Sequence, residues 1–219
     1  MLMEKERELI VEYGKKLSQS CLCPGTSGNI SIYNRELGLM AISPSGIDYF
    51  STTAEDVVIT DLEANIVEGK RKPSSEWALH TKFFKAKPEC GAVVHTHSVH
   101  CSAIAALNMP LKAAHFVVCD AEVAEVPCAP YRTFGTVELA DAAVEACGNS
   151  RAVLLANHGI VCCGRDIHDA FSLAVNMEYC AQVQLLAMSA GNPCYLNQEQ
   201  IDKALDRLQS YGQKKSESK

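Results

Sequence analysis

Two short apolar runs in this chain end in histidine. Gly91-Ala92-Val93-Val94 leads into His95-Thr96-His97, and Ala152-Val153-Leu154-Leu155-Ala156 leads into Asn157-His158-Gly159. Both runs read as strands of a buried sheet. Along a strand, residues i and i+2 point to the same side, so His95 and His97 can aim their rings at one ion. A third imidazole from another strand end completes three protein ligands and leaves room for a substrate oxygen, the pattern of a catalytic rather than a closed structural metal site. The competing reading makes each histidine a satisfied structural residue, and spacing alone does not bring His158 to the pair.

A length of 219 residues suits one domain, 1–219, that buries a large core without staples. A net charge of -6 and the lack of a basic cluster argue against a nucleic-acid surface, and Lys214-Lys215 reads as a solvated tail. Eleven cysteines would suit an extracellular disulfide framework, yet the chain opens without a secretory signal and many cysteines lie inside apolar runs. They read as reduced and packed in a cytoplasmic protein. Cys21-x-Cys23 and Cys162-Cys163 lack the paired spacing of a zinc module and read as structural. The most apolar helical stretch, 173–188, is interrupted by Asn176, Glu178, Gln182 and Gln184, so a long buried helix is expected there rather than a membrane span.

Patterning along the chain supports α/β layering. Helices are expected over 4–18, from the Thr53-x-x-Asp56 start, after Ser74-Ser75, from Ser98, over 136–146, near 167–190 and over 198–210. Strands are expected around 29–33, 38–42, 92–94, 123–126 and 152–155. Ser74-Ser75 places small hydroxyls at a helix start, where free amides can bind an anion, and Glu76 adds an acid just inside it. Thr26-Ser27-Gly28-Asn29 and Ser43-Pro44-Ser45-Gly46 are turns whose backbone can approach a phosphate, or simply connect strands.

Taken in order, Thr26-Ser27-Gly28-Asn29, Ser45-Gly46, Ser74-Ser75-Glu76, His95-Thr96-His97-Ser98, Pro127-Cys128-Ala129-Pro130-Tyr131, Thr133-Phe134-Gly135-Thr136 and Asn157-His158-Gly159 resemble the class II aldolase/adducin family over nearly the whole chain. The resemblance implies a single three-layer α/β domain with a central mixed, largely antiparallel sheet flanked by helices. It further implies a cyclic homotetramer with active sites near subunit interfaces. By the same resemblance His95, His97 and His158 are the ligands of Zn2+ and Glu76 is the catalytic acid/base. Phosphate falls to Ser27, Gly28, Asn29, Ser45, Gly46, Ser74 and Ser75. Phe134 becomes a pocket wall and Tyr211, in Ser210-Tyr211-Gly212, an aldehyde-side contact. The family's sugar-phosphate aldolases have His-Tyr where this chain has His115-Phe116. The tyrosine, contributed by a neighbouring subunit, delivers a proton on the aldehyde side, so in this chain water or another group takes that role, or the substrate differs.

The implied reaction is reversible zinc-dependent aldol cleavage of a ketose 1-phosphate, with L-fuculose 1-phosphate leading, to dihydroxyacetone phosphate and a small aldehyde, L-lactaldehyde. Its partners would be a phosphorylated ketose, the aldehyde and further copies of the chain, with neither nucleic acid nor membrane. Epimerisation of L-ribulose 5-phosphate, or cleavage of another phosphosugar, is the enzymatic alternative. A non-catalytic adducin-like interaction domain is the other, and the intact histidine set with Glu76 counts against it.

Overall fold

The structure, a computed structural model, describes residues 1–209. Helix α1 (Glu4–Gln19) is followed by β1 (Asn29–Asn34), β2 (Leu39–Ile42), β3 (Val58–Thr60) and β4 (Ile66–Glu68), then α2 (Trp77–Ala86), β5 (Ala92–Thr96) and α3 (Val99–Ala106). Short strands β6 (Leu111–Lys112), β7 (Glu125–Val126) and β8 (Cys128–Ala129) precede α4 (Val137–Cys147), β9 (Ala152–Leu155), β10 (Gly159–Gly164), α5 (Ile167–Ala190) and α6 (Gln198–Gln209).

Eight strands form one sheet in the order β4-β3-β2-β1-β5-β10-β9-β8, and β6 pairs with β7 apart from it. Every pairing in the large sheet is antiparallel except β8 with β9. The fold is thus α/β with a central mixed, mostly antiparallel sheet flanked by helices. Alternation along the strands divides the core in two. Ile30, Ala92, Val94, Ala152, Leu154, Ile160 and Cys162 pack with α1, α3 and α5 on one face. Met40, Ile42, Val93, Val153, Leu155, Val161 and Cys163 pack with α2 and α4 on the other.

Local chemistry sets the element ends. The Thr136 hydroxyl accepts the Leu139 amide at 3.2 Å and caps α4, and the Asp166 carboxylate accepts the Asp169 amide at 2.8 Å and caps α5. At Thr53 the expected capping box is present, but the helix is a single 3-10 turn, Ala54–Asp56. The β-branched stretch Val57-Val58-Ile59 then turns into the sheet, where it is fully buried, and burial outweighs continuation of the helix. Helix α5 is buried along one side, through Leu173, Ala174, Met177, Cys180 and Ala181, while Val175, Tyr179 and Leu186 are exposed. Among the described residues no helix is long and apolar enough to cross a membrane. None of the eleven cysteines is disulfide-bonded, and most are buried, as their apolar settings suggested.

Candidate metal centre and active site

Three neighbouring strands deliver the histidines. In the antiparallel register Asn29 of β1 and Val161 of β10 both lie opposite His95 of β5. His97 follows one residue beyond the end of β5, and His158 closes the turn Ala156-Asn157-His158 between β9 and β10. Asn157 takes a positive φ of 55° in that turn, a conformation asparagine tolerates better than most residues. Gly159 lets the strands close up beneath the rings. A Cβ there would stand 2.1 Å from the Thr96 carbonyl oxygen and 3.2 Å from His97 Cδ2, so any side chain would pry β10 from β5. Glu76 enters from above as the N-cap residue of α2. Its own amide donates to the Ser74 hydroxyl at 3.2 Å, which puts Ser74-Ser75 in the turn before the helix rather than inside it.

The four side chains meet at one point, their ligating atoms all within 4.8 Å of one another. His95 Nδ1–H donates to the Ile160 carbonyl at 3.0 Å, which turns the Nε2 lone pair toward the cluster. His95 Nε2 lies 2.9 Å from His97 Nε2 and 3.0 Å from Glu76 Oε2, and His158 Nε2 lies 3.6 Å from Glu76 Oε1. Two ring nitrogens this close share a hydrogen bond only if one carries a proton, whereas a common cation satisfies both. Glu76 Oε1 is buried without a hydrogen-bond partner, a position that costs about 1–3 kcal/mol unless something answers it. Three imidazoles and a carboxylate, with that orphaned oxygen, fit a divalent metal.

The electrostatics agree. Burial pushes the Glu76 carboxyl up, but His95 and His158 together with the Asn29 amide outweigh it and hold the group well below the usual carboxylate range. Burial works against charge on His95, yet the Glu76 carboxylate beside it prevails and raises its proton affinity. His97 is lowered to about 3 by burial and then by the charge on His95 and His158, and His158 to about 4 by burial and His95. Burial and the neighbouring rings thus favour neutral imidazoles at His97 and His158, the form that binds a metal, beside the Glu76 carboxylate.

A cavity of about 380 Å³ opens above the cluster. Its wall brings together Ser27, Gly28, Asn29, Ser45, Gly46, Ser74, Ser75, Glu76, Phe134, His97 and His158, and His95 lies buried beneath. Gly28 is required where it stands: it has φ +75°, and a Cβ would meet Cys23 Sγ at 2.2 Å and the His95 carbonyl at 2.9 Å. Phe116 does not join this wall. It is 45% exposed against His115, whose ring also packs on Tyr179. Tyr211 lies outside the described residues. A larger cavity, about 690 Å³, lies by Lys87, Arg151 and Asp169, but holds none of the histidines, and Arg151 there is already paired with Asp169.

Sequence reasoning passed over Arg132, which among the described residues is the one lysine or arginine on the wall of the 380 Å³ cavity and lies between the two motif segments that end at Tyr131 and begin at Thr133. It also passed over His80. Asn29 Nδ2 donates to Glu76 Oε2 at 3.1 Å, His80 Nε2 bonds Asn29 Oδ1, and Ser31 Oγ lies 2.6 Å from His80 Nδ1. The available signal was spacing: Asn29 and Ser31 are i, i+2 on a strand, and Glu76 and His80 are i, i+4 at a helix start.

Known proteins share this arrangement. The family model of the class II aldolase and adducin N-terminal domain matches residues 8–185. A 5-deoxy-D-ribulose 1-phosphate aldolase of Bacillus thuringiensis is 47% identical over 97% of this chain and 100% of that protein. An L-fuculose phosphate aldolase of Escherichia coli is 36% identical over 93% of this chain and 94% of its own. A solved L-fuculose 1-phosphate aldolase superposes with a TM-score of 0.92 at 39% identity, covering 95% of this chain and 98% of that one. The chain belongs to the class II aldolase and adducin family, with the fold and catalytic-site geometry of its metal-dependent aldolases.

Proposed function

We propose that this protein is a zinc-dependent aldolase that reversibly cleaves a deoxyketose 1-phosphate to dihydroxyacetone phosphate and a short aldehyde. The observation that carries the reading is the three-histidine cluster with Glu76 at the floor of a cavity rimmed by serine and glycine turns. L-fuculose 1-phosphate, giving L-lactaldehyde, is the leading substrate. A second reading, 5-deoxy-D-ribulose 1-phosphate giving acetaldehyde, is favoured by the 47% identity to the Bacillus thuringiensis relative. Both sugars share the phosphorylated half and end in a methyl group.

Zinc on His95, His97 and His158 would polarise the substrate ketone and its neighbouring hydroxyl. Glu76 would move the proton at C3 of the ketone half: its carboxylate removes one in the synthetic direction, and in cleavage its acid form, protonated from solvent, gives one to C3 after the C3–C4 bond breaks. The amides of Ser27, Ser45 and Ser74 already serve the carbonyls of Pro24, Lys72 and Ser43. The phosphate donors therefore narrow to side-chain hydroxyls, with those of Ser45 and Ser75 foremost, and to the amides of Gly28, Gly46 and Ser75, and Arg132 adds positive charge at the rim. Phe116 brings no ionisable hydroxyl, so the C4 hydroxyl proton passes to water at the open aldehyde end.

Assembly as a cyclic homotetramer is part of the same proposal. Tyr131 and Phe134 are 58% and 65% exposed at the cavity rim, and Phe116, Tyr179 and Leu186 expose apolar surface elsewhere, as expected if neighbouring copies cover them. In that arrangement Phe116 borders a neighbour's site and gives its aldehyde end an apolar wall for a methyl group. The test is to strip the protein with chelator and assay both sugars before and after adding zinc back. Activity that vanishes and returns, faster on one sugar, supports the reading. Full cleavage in the metal-free protein, or xylulose 5-phosphate formed from L-ribulose 5-phosphate without cleavage of either deoxy sugar, would overturn it.

A further inference from the structure

Asn29, Ser31, Glu76 and His80 are all buried, with His80 and Ser31 fully so. An asparagine side chain has one donating and one accepting end, and a buried one that presents the wrong end leaves two groups unanswered. Here the ends are assigned by their neighbours. The Ser31 hydroxyl bonds His80 Nδ1 and the other ring nitrogen bonds Asn29 Oδ1. With Ser31 donating, His80 carries its proton on Nε2, and that N–H requires the oxygen of Asn29. The amide nitrogen is thereby turned to Glu76 Oε2 at 3.1 Å. Glu76 Oε1 stays free of hydrogen bonds, facing the histidines.

We propose that His80 is a positioning residue: through Asn29 it fixes which oxygen of Glu76 is bound in the core and which is left free for the metal and the substrate proton. Strand spacing on β1 and helix spacing on α2 build the device, since Asn29 and Ser31 share one side of the strand, and Glu76 and His80 one side of the helix. Without the His80 donor, Asn29 Oδ1 loses its partner and the amide is no longer anchored, so Glu76 loses its fixed orientation. A shift of a fraction of an ångström at a proton-transferring group is enough to slow transfer.

The inference rests on the acid/base role proposed for Glu76, and the experiment separates the two. Deuterium exchange into dihydroxyacetone phosphate, with aldehyde absent, is followed in zinc-loaded wild type, Glu76→Gln, His80→Met and His80→Gln, with metal content measured in each. His80→Met keeps the volume without a donor and should slow exchange about 10- to 100-fold at unchanged KM and metal content. His80→Gln, which can still donate to Asn29, should recover most of the rate. In the metal-free protein, nitrogen-15 NMR should show the Asn29 side-chain amide as one sharp, slowly exchanging pair in wild type and His80→Gln, and broadened in His80→Met. Wild-type exchange in His80→Met, equal losses in both His80 variants, or a loss confined to KM or metal content would overturn the positioning role. Full exchange in Glu76→Gln would overturn the acid/base reading and this inference with it. Should His80→Met not fold, Asn29→Asp decides: it replaces the donor to Glu76 by an oxygen at equal size, and wild-type exchange there overturns the proposal.

Discussion

On strand β1, Ile30 and Ile32 face α1 and the larger half of the core, while Asn29 and Ser31 face α2. Strand β5 repeats the division, with Ala92 and Val94 on the apolar face and His95 on the other. One backbone register therefore serves two purposes one residue apart. The apolar face stabilises by removing hydrocarbon from water, about 1.5–3 kcal/mol for each fully buried aliphatic side chain. The opposite face is apolar too along Met40, Val93 and Val153, but where β1 and β5 pass the start of α2 it holds polar groups in the interior, where each needs a partner, and Glu76 Oε1 is left without one. The first face should govern whether the chain folds and the second whether it turns over.

Breaking the functional face should give the largest effect. A four-ligand zinc site is worth about 10–16 kcal/mol, so one ligand carries roughly 3 kcal/mol, a loss of about a hundredfold or more in affinity. His158→Ala should show it in a metal titration, with little change in the thermal midpoint of the metal-free protein. Ile30→Ala should do the opposite, costing about 3 kcal/mol and lowering the melting temperature by roughly 6–12 °C while metal affinity in the folded protein holds. Calorimetry alongside the titration checks both, and equal effects of the two substitutions on stability would erase the division.

A smaller effect is expected at the opposite end of the molecule, where Arg151 Nη2 lies 2.8 Å from Asp169, both side chains about one-fifth exposed. Burial pushes the Asp169 carboxyl up, but Arg151 and the Arg165 amide outweigh it and lower it. A lowered carboxyl contributes stability above its unfolded pKa of about 3.9 and loses it as pH falls through the folded value. Asp169→Asn should cost about 1 kcal/mol at neutral pH, with the difference from wild type closing below about pH 4. Urea unfolding at a series of pH values reads this, and a constant difference into acid would contradict it.

The two faces also differed in how legible they were. Helix α5, expected near 167–190 from its long apolar stretch, spans Ile167–Ala190, with Asp166 as its cap. Strands β5 and β9 were marked by apolar runs, and β1 by the alternation of Asn29-Ile30-Ser31-Ile32. Strand β10 was missed: Ile160 to Cys163 follows His158 directly, and nothing in the sequence separates a strand after the turn from a loop. Strands β6 and β8 have two residues each and β4 is exposed throughout, so neither length nor alternation announces them. Within the site, the histidines carried their own signal, and the serine and glycine turns were legible as possible phosphate sites but equally as plain strand connections until the resemblance was added. His80 stands alone in an ordinary helical run and becomes visible once α2 lies on β1.

The division of labour at the centre itself is tested most directly by one pair of readings on Glu76→Gln: bound zinc per chain, and deuterium exchange into dihydroxyacetone phosphate. The three histidines should still hold one equivalent of zinc at neutral pH, and exchange should fall by about 10²-fold or more, because the amide keeps the shape of the carboxylate but cannot accept the proton. Loss of the zinc together with the exchange would make Glu76 chiefly a ligand. Exchange at the wild-type rate with zinc in place would show that the proton moves through another group.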